Sequence, residues 1–145
     1  MSDNWIKLIP RDPNYQPTVK AAKSARDLLA SFVPDADEVD FSFMDEVEFV
    51  DPLGNWSGVR CYACGADAEP WWREAYGKGF PELTMKAGCC GASVSLNELE
   101  YVYPAGFAKF VLEAMNPNVK DLKVTQMKKL SQCLGCDLRR IWVHL

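Results

Sequence analysis

Histidine is almost missing from this chain: His144 is the only one in 145 residues. That excludes any mechanism that works through a pair of imidazoles. A basic excess is missing too. The 16 Lys and Arg are outnumbered by 20 Asp and Glu, for a net charge of −4. A general nucleic-acid binder needs the opposite balance to neutralise phosphates, so nucleic acid is not the expected partner. No apolar run approaches the ~20 residues of a membrane-spanning helix. The opening stretch MSDNWIKLIPRD has no apolar signal core, and the expectation is a cytoplasmic protein with no membrane association. Also lacking are a P-loop, a dinucleotide glycine motif, G-x-S-x-G and H-E-x-x-H. The chain is therefore read as a binding protein, not an enzyme, and no catalytic residue is assigned. What remains, 48% hydrophobic and 25% charged residues, is the composition of an ordinary globular domain.

Six cysteines are present: Cys61, Cys64, Cys89, Cys90, Cys133 and Cys136. In a cytoplasm they would be reduced. Cys61-Tyr62-Ala63-Cys64-Gly65 has the C-x2-C-G form of a zinc knuckle, in which two thiolates converge on one metal and the glycine lets the backbone turn beneath them. Further on, Ala87-Gly88-Cys89-Cys90-Gly91 is half a knuckle. Cys90 and Gly91 keep their places, but Ala87 stands where the partner thiol belongs, and Cys89 would have to supply the fourth sulfur. The expected cofactor is one structural Zn2+ held by Cys61, Cys64, Cys89 and Cys90. Four thiolates would close the tetrahedron and leave no position for a reactive water. Cys133-Leu134-Gly135-Cys136 has the same spacing in another setting. Met127, Leu130 and Cys133/Leu134 recur at helical spacing, so this pair is expected in the core around a helix end, with Gly135 as the C-terminal cap.

The periodicities predict an α+β protein. Trp5–Pro10 reads as a strand and Arg11–Pro17, with two prolines, as a loop. Thr18–Val33 carries Ala21, Ala25, Leu28 and Phe32 on one helical face and is stopped by Pro34. Val39, Phe41 and Phe43 alternate as in a strand. Val47 and Phe49 resume out of step, implying a bulge or a hairpin. Near the end, Phe107–Ala114 reads as a strand, although a helix would also satisfy its apolar spacing. Thr125–Leu134 reads as a helix with Thr125 as its N-cap, and Asp137–Leu145 as a closing strand. Two β-α-β units point to a ferredoxin-like split arrangement, an antiparallel sheet with helices on one face. The whole is expected to be a single domain over residues 1–145, with residues 56–97 as a metal-clipped insertion. In that insertion Glu69–Gly77 should form a short helix, with Pro70 at its first position, and Glu82–Lys86 a strand.

The net charge hides a division. From Asp27 to Val59 there are nine acids and no Lys or Arg, whereas Ala105–Leu145 carries seven bases against three acids. An array formed by Asp35, Asp37, Glu38, Asp40, Asp45, Glu46, Glu48 and Asp51 would project a field that steers a basic partner. Trp56 and Trp71 are the candidate aromatic anchors for that partner. The alternative is a regulatory or nucleic-acid-associated module using Lys120, Lys123, Lys128, Lys129, Arg139 and Arg140.

Five motifs, taken together, carry a resemblance. They are Cys61-x2-Cys64-Gly65-Ala66, Cys89-Cys90-Gly91-Ala92, Ser95-Leu96-Asn97-Glu98-Leu99, Tyr103-Pro104-Ala105-Gly106-Phe107-Ala108, and Leu134-Gly135-Cys136 with Leu138-Arg139-Arg140-Ile141-Trp142. Together they resemble a family of small, mostly uncharacterised bacterial cytoplasmic proteins with a zinc-knuckle insertion. In size and charge the chain is also similar to bacterial immunity proteins. That likeness implies a protein partner, a cognate toxin domain, bound and neutralised through the acidic surface.

Overall fold

The order of elements over residues 3–145, those the computed structural model describes, is β1 (Asn4–Pro10), α1 (Val19–Phe32), β2 (Glu38–Val50), β3 (Val59–Arg60), α2 (Glu69–Gly77), β4 (Thr84–Lys86), β5 (Ser93–Ser95), a single 3-10 turn at Leu96–Glu98, β6 (Glu100–Tyr101), β7 (Gly106–Met115), α3 (Val124–Leu134) and β8 (Leu138–His144). The protein is mixed α+β with an antiparallel sheet and three helices. It forms two compact units. One takes the chain up to Asn55 and resumes at Pro104; the other is Trp56–Tyr103. The insertion expected to end at Asn97 thus runs to Tyr103. The reason is a closing strand: β6 pairs antiparallel with β3, and Val102 N–H reaches the Gly58 carbonyl at 3.0 Å.

The first unit is a four-stranded sheet in the order β2-β7-β1-β8, every neighbouring pair antiparallel. Side chains alternate across a strand. Ile6, Leu8, Phe110, Leu112 and Ala114 share a core with Ala22, Ala25 and Leu29 of α1 and Leu130 and Leu134 of α3, all buried. Ile9, Val111, Ile141 and Val143 form a separate cluster on the opposite face. Helices α1 and α3 therefore cover one face. Thr18 starts α1 by accepting the Ala21 N–H on its hydroxyl at 3.1 Å. Thr18→Ala removes that acceptor and is expected to cost about 1 kcal/mol; urea unfolding of the variant should show the midpoint shift with an unchanged slope.

Two ambiguous stretches are resolved. Phe107–Ala114 lies within β7, buried on both faces between β2 and β1. A strand of that kind loses its alternation and reads as a continuous apolar run. The phase slip in the acidic stretch is a bulge and not a hairpin. β2 stays one strand, but its register jumps between Phe43, opposite Phe110, and Glu48, opposite Ala108. One expectation is corrected. The N-cap of α3 is Lys123, not Thr125, because the Gln126 side chain reaches back to accept the Lys123 N–H at 2.8 Å and fixes the start there. Gly135 ends α3 in the left-handed region, where the Tyr15 hydroxyl donates to the Leu134 carbonyl at 2.6 Å. Cys133 and Cys136 pack half-buried against the core; burial pushes the Cys136 thiol up to about 11, with the Asp137 charge adding to it.

In the second unit the core is aromatic. Trp72 is 1% exposed and stacks on Trp56 with ring centroids 4.6 Å apart. Its indole N–H donates to the Tyr101 hydroxyl at 3.1 Å, and that hydroxyl donates to the Leu96 carbonyl. Helix α2 starts with Pro70 in its first turn and Asp67 accepting the Glu69 N–H. It sets Trp72 and Tyr76 on one face, with ring centroids 5.5 Å apart.

Candidate metal centre

Two tight turns bring four cysteines of the second unit together. In the first, Cys61 N–H donates to the Ala66 carbonyl at 2.9 Å and Gly65 N–H returns to the Cys61 carbonyl at 2.8 Å. In the second, Ala87 N–H donates to the Ala92 carbonyl at 2.8 Å and Gly91 N–H returns to the Ala87 carbonyl at 2.7 Å. Gly65 and Gly91 have φ of +76° and +75°, a backbone that glycine adopts without penalty. The two loops are one motif built twice. Ala87 corresponds to Cys61, Cys90 to Cys64 and Gly91 to Gly65. The second copy therefore lacks a thiol at its first ligand position, and the neighbouring residue Cys89 puts its sulfur into the cluster.

The four Sγ atoms all lie within 4.8 Å of one another, and those of Cys64 and Cys89 are 3.4 Å apart. Thiolates at about 2.3 Å from a tetrahedral zinc stand about 3.8 Å from each other, so these separations fit a single ion. The loops are anchored around the cluster. β4 and β5 pair as a hairpin that presents Cys89 and Cys90 at its tip. The Tyr62 hydroxyl, from the first loop, accepts the Ser95 N–H at 2.8 Å. Cys61 is fully buried; Cys64, Cys89 and Cys90 are exposed.

The thiols are electrostatically unequal. Burial raises Cys61, but N–H groups of Cys64 and Ala63 and the thiols of Cys89 and Cys64 outweigh it and hold Cys61 below its ordinary value. Desolvation pushes Cys89 up to about 12, helped by Cys64 and Cys61 and opposed by the Trp71 indole. Cys90 is lowered by the Ala92 N–H, yet desolvation and the Cys64 and Cys61 sulfurs carry it above its ordinary value. Negative charge at Cys61 opposes ionisation of Cys89 and Cys90. A divalent cation between the sulfurs reverses that repulsion, which is the chemistry of a four-thiolate metal site. The cluster can hold a metal ion.

Comparison of the chain with protein-family models, curated proteins and solved structures finds no match.

The other predicted residues lie elsewhere. Asp35, Asp37, Glu38, Asp40, Asp45, Glu46 and Glu48 are exposed on or just before β2, an edge strand of the sheet, and Asp51 is half-buried beyond its end. Three of them have partners. Asp40 stands 3.9 Å from the Arg26 guanidinium, Asp37 accepts from the Asn116 amide at 2.8 Å, and Asp51 accepts the Leu53 N–H. Trp56 and Trp71 are both half-buried in the second unit. Trp56 stacks on Trp72, the Arg73 guanidinium lies against both rings, 5.5 Å from that of Trp56 and 5.6 Å from that of Trp72, and Trp56 donates to Glu69 at 3.0 Å. Of the basic residues, Lys120, Lys123, Lys128 and Lys129 are exposed. Arg139 and Arg140 are tied down, Arg139 to the Ala105 carbonyl and Arg140 to Asp121 at 3.0 Å. His144 holds the Asn4 side chain at 2.5 Å. No helix among the described residues is long and apolar enough to cross a membrane.

Proposed function

We propose that the chain is a binding protein of the bacterial immunity type, which docks a basic toxin domain on its acidic edge and occludes it. The observation that carries this reading is the exposure of seven carboxylates along one sheet edge, in a stretch with no Lys or Arg from Asp27 to Val59. Such an array accelerates encounter with a positive partner and repels negative ones. The order β2-β7-β1-β8, with α1 joining β1 to β2 and α3 joining β7 to β8 on one face, supports a ferredoxin-like sheet with the second unit inserted between its second and third strands. The four cysteines support one structural Zn2+ as the clip of that insertion, closed by four thiolates. A cytoplasmic site of action and membership in the motif-bearing bacterial family belong to the same reading.

Co-expression with the product of the adjacent gene tests it. The neighbour should arrest growth alone and be tolerated with this protein present. Glu46→Lys with Glu48→Lys should slow association about 10-fold or more at low salt, the gap should shrink at high salt, and melting should be unchanged. A harmless neighbour, or a double variant that associates as fast as wild type, would sink the reading.

A further inference from the structure

Cys89 takes part in the cluster from an irregular position, and something other than the knuckle backbone must hold it there. The Cys61 sulfur is held by the N–H groups of Cys64 and Ala63, and that of Cys90 by the Ala92 N–H. At Cys89 desolvation dominates, and the one group that works against it is the Trp71 indole. Trp71 Nε1 is buried and has no hydrogen-bond partner among the described residues. A buried donor left without a partner is costly, and a thiolate at Cys89 would supply the acceptor it lacks. The approach is enforced from below. A Cβ at Gly88 would lie 2.8 Å from Trp71 Cβ and 2.9 Å from Cγ, so the indole packs directly on the Gly88 backbone, one residue before Cys89. Helix α2 fixes Trp71 through its neighbour Trp72, which anchors the aromatic core.

We infer that Trp71 is a positioning residue of the metal centre: in the metal-loaded protein its orphaned indole N–H donates to the Cys89 thiolate and holds that sulfur in the ligand place which the missing thiol at Ala87 leaves vacant. The inference rests on the metal-binding reading of the four cysteines. Outer partners of this kind set ligand orientation and donor strength, and their loss weakens metal binding about 10- to 100-fold. Trp71 thus serves the metal site from within its own unit.

The test uses the full chain loaded with cobalt(II), whose thiolate charge-transfer bands report the sulfurs directly. Two variants are compared with wild type: Trp71→Phe, and Trp71 replaced by 3-benzothienylalanine, which keeps the indole shape without the N–H. Expected are wild-type stoichiometry, a shifted charge-transfer band in both variants, and transfer of zinc(II) to a chromophoric chelator about 10- to 100-fold faster. If Trp71→Phe does not fold, the isostere decides. Unchanged bands and transfer rates in the isosteric variant would overturn the inference while leaving the four-thiolate site standing. Wild-type protein that takes up no cobalt would instead overturn the metal site itself.

Discussion

Replacing Cys61 by serine will collapse the second unit. Its strands are two or three residues long and its only α-helix has nine. A segment of that size has too little buried surface to offset its chain entropy and needs a cross-link or a metal. The binding free energy of a structural four-ligand zinc is about 10–16 kcal/mol, and it is folding free energy. Cys61 is the fully buried cysteine of the cluster, and its thiol is held below its ordinary value. Elemental analysis should show about one zinc per wild-type chain and none in the variant. The near-ultraviolet dichroism of the stacked Trp56 and Trp72 should vanish. Strong chelation of wild type should give the same spectrum, while the far-ultraviolet signal of the four-stranded sheet persists. Metal-free protein that melts as before, with its aromatic dichroism intact, would contradict the metal's structural role.

The second large effect is a rescue. Cys89→Ser removes a ligand and should weaken zinc binding by more than the roughly 100-fold that loss of an outer partner brings. Adding Ala87→Cys to it should restore binding, because Ala87 occupies the backbone position that Cys61 has in the first loop, with matching hydrogen bonds on both sides. Ala87 is 2% exposed, and a thiol is a small hydrophobe that fits such a buried place. Competition titration against a chelator of known affinity measures both variants. A double variant as weak as Cys89→Ser alone would show that the two loops are not equivalent.

Much of this was legible in the sequence because local signals agreed with tertiary ones. Thr18, the Ala25/Leu28/Phe32 spacing and Pro34 all describe α1 from within fifteen or so residues, the range over which helical pattern is informative. The first knuckle was legible for the same reason: two ligands and their glycine are contiguous. The second was half-legible, since Cys90-Gly91 keeps the pattern and only the fold shows Ala87 in register with Cys61. β7 resisted because a strand buried on both faces erases the period-two signal. The start of α3 was misplaced because a long side chain, Gln126, does the capping from three residues inside. Trp71 resisted altogether. Its part in the site depends on Gly88, far along the chain, and no spacing rule connects an indole to a sulfur across that gap.

The bulge in β2 has a consequence for crowding. An outer strand of thirteen residues would normally be a template on which a second molecule could lay its own copy and begin a filament. Here the hydrogen-bonding groups fall out of step between Phe43 and Glu48, and like charges at Glu38, Asp40, Asp45, Glu46 and Glu48 would be brought face to face in any such pairing. Concentrating the protein should therefore leave it monodisperse along that side, whereas a foreign segment of opposite charge meets no such barrier. The same residues that would invite a basic visitor should keep the molecule from polymerising with itself.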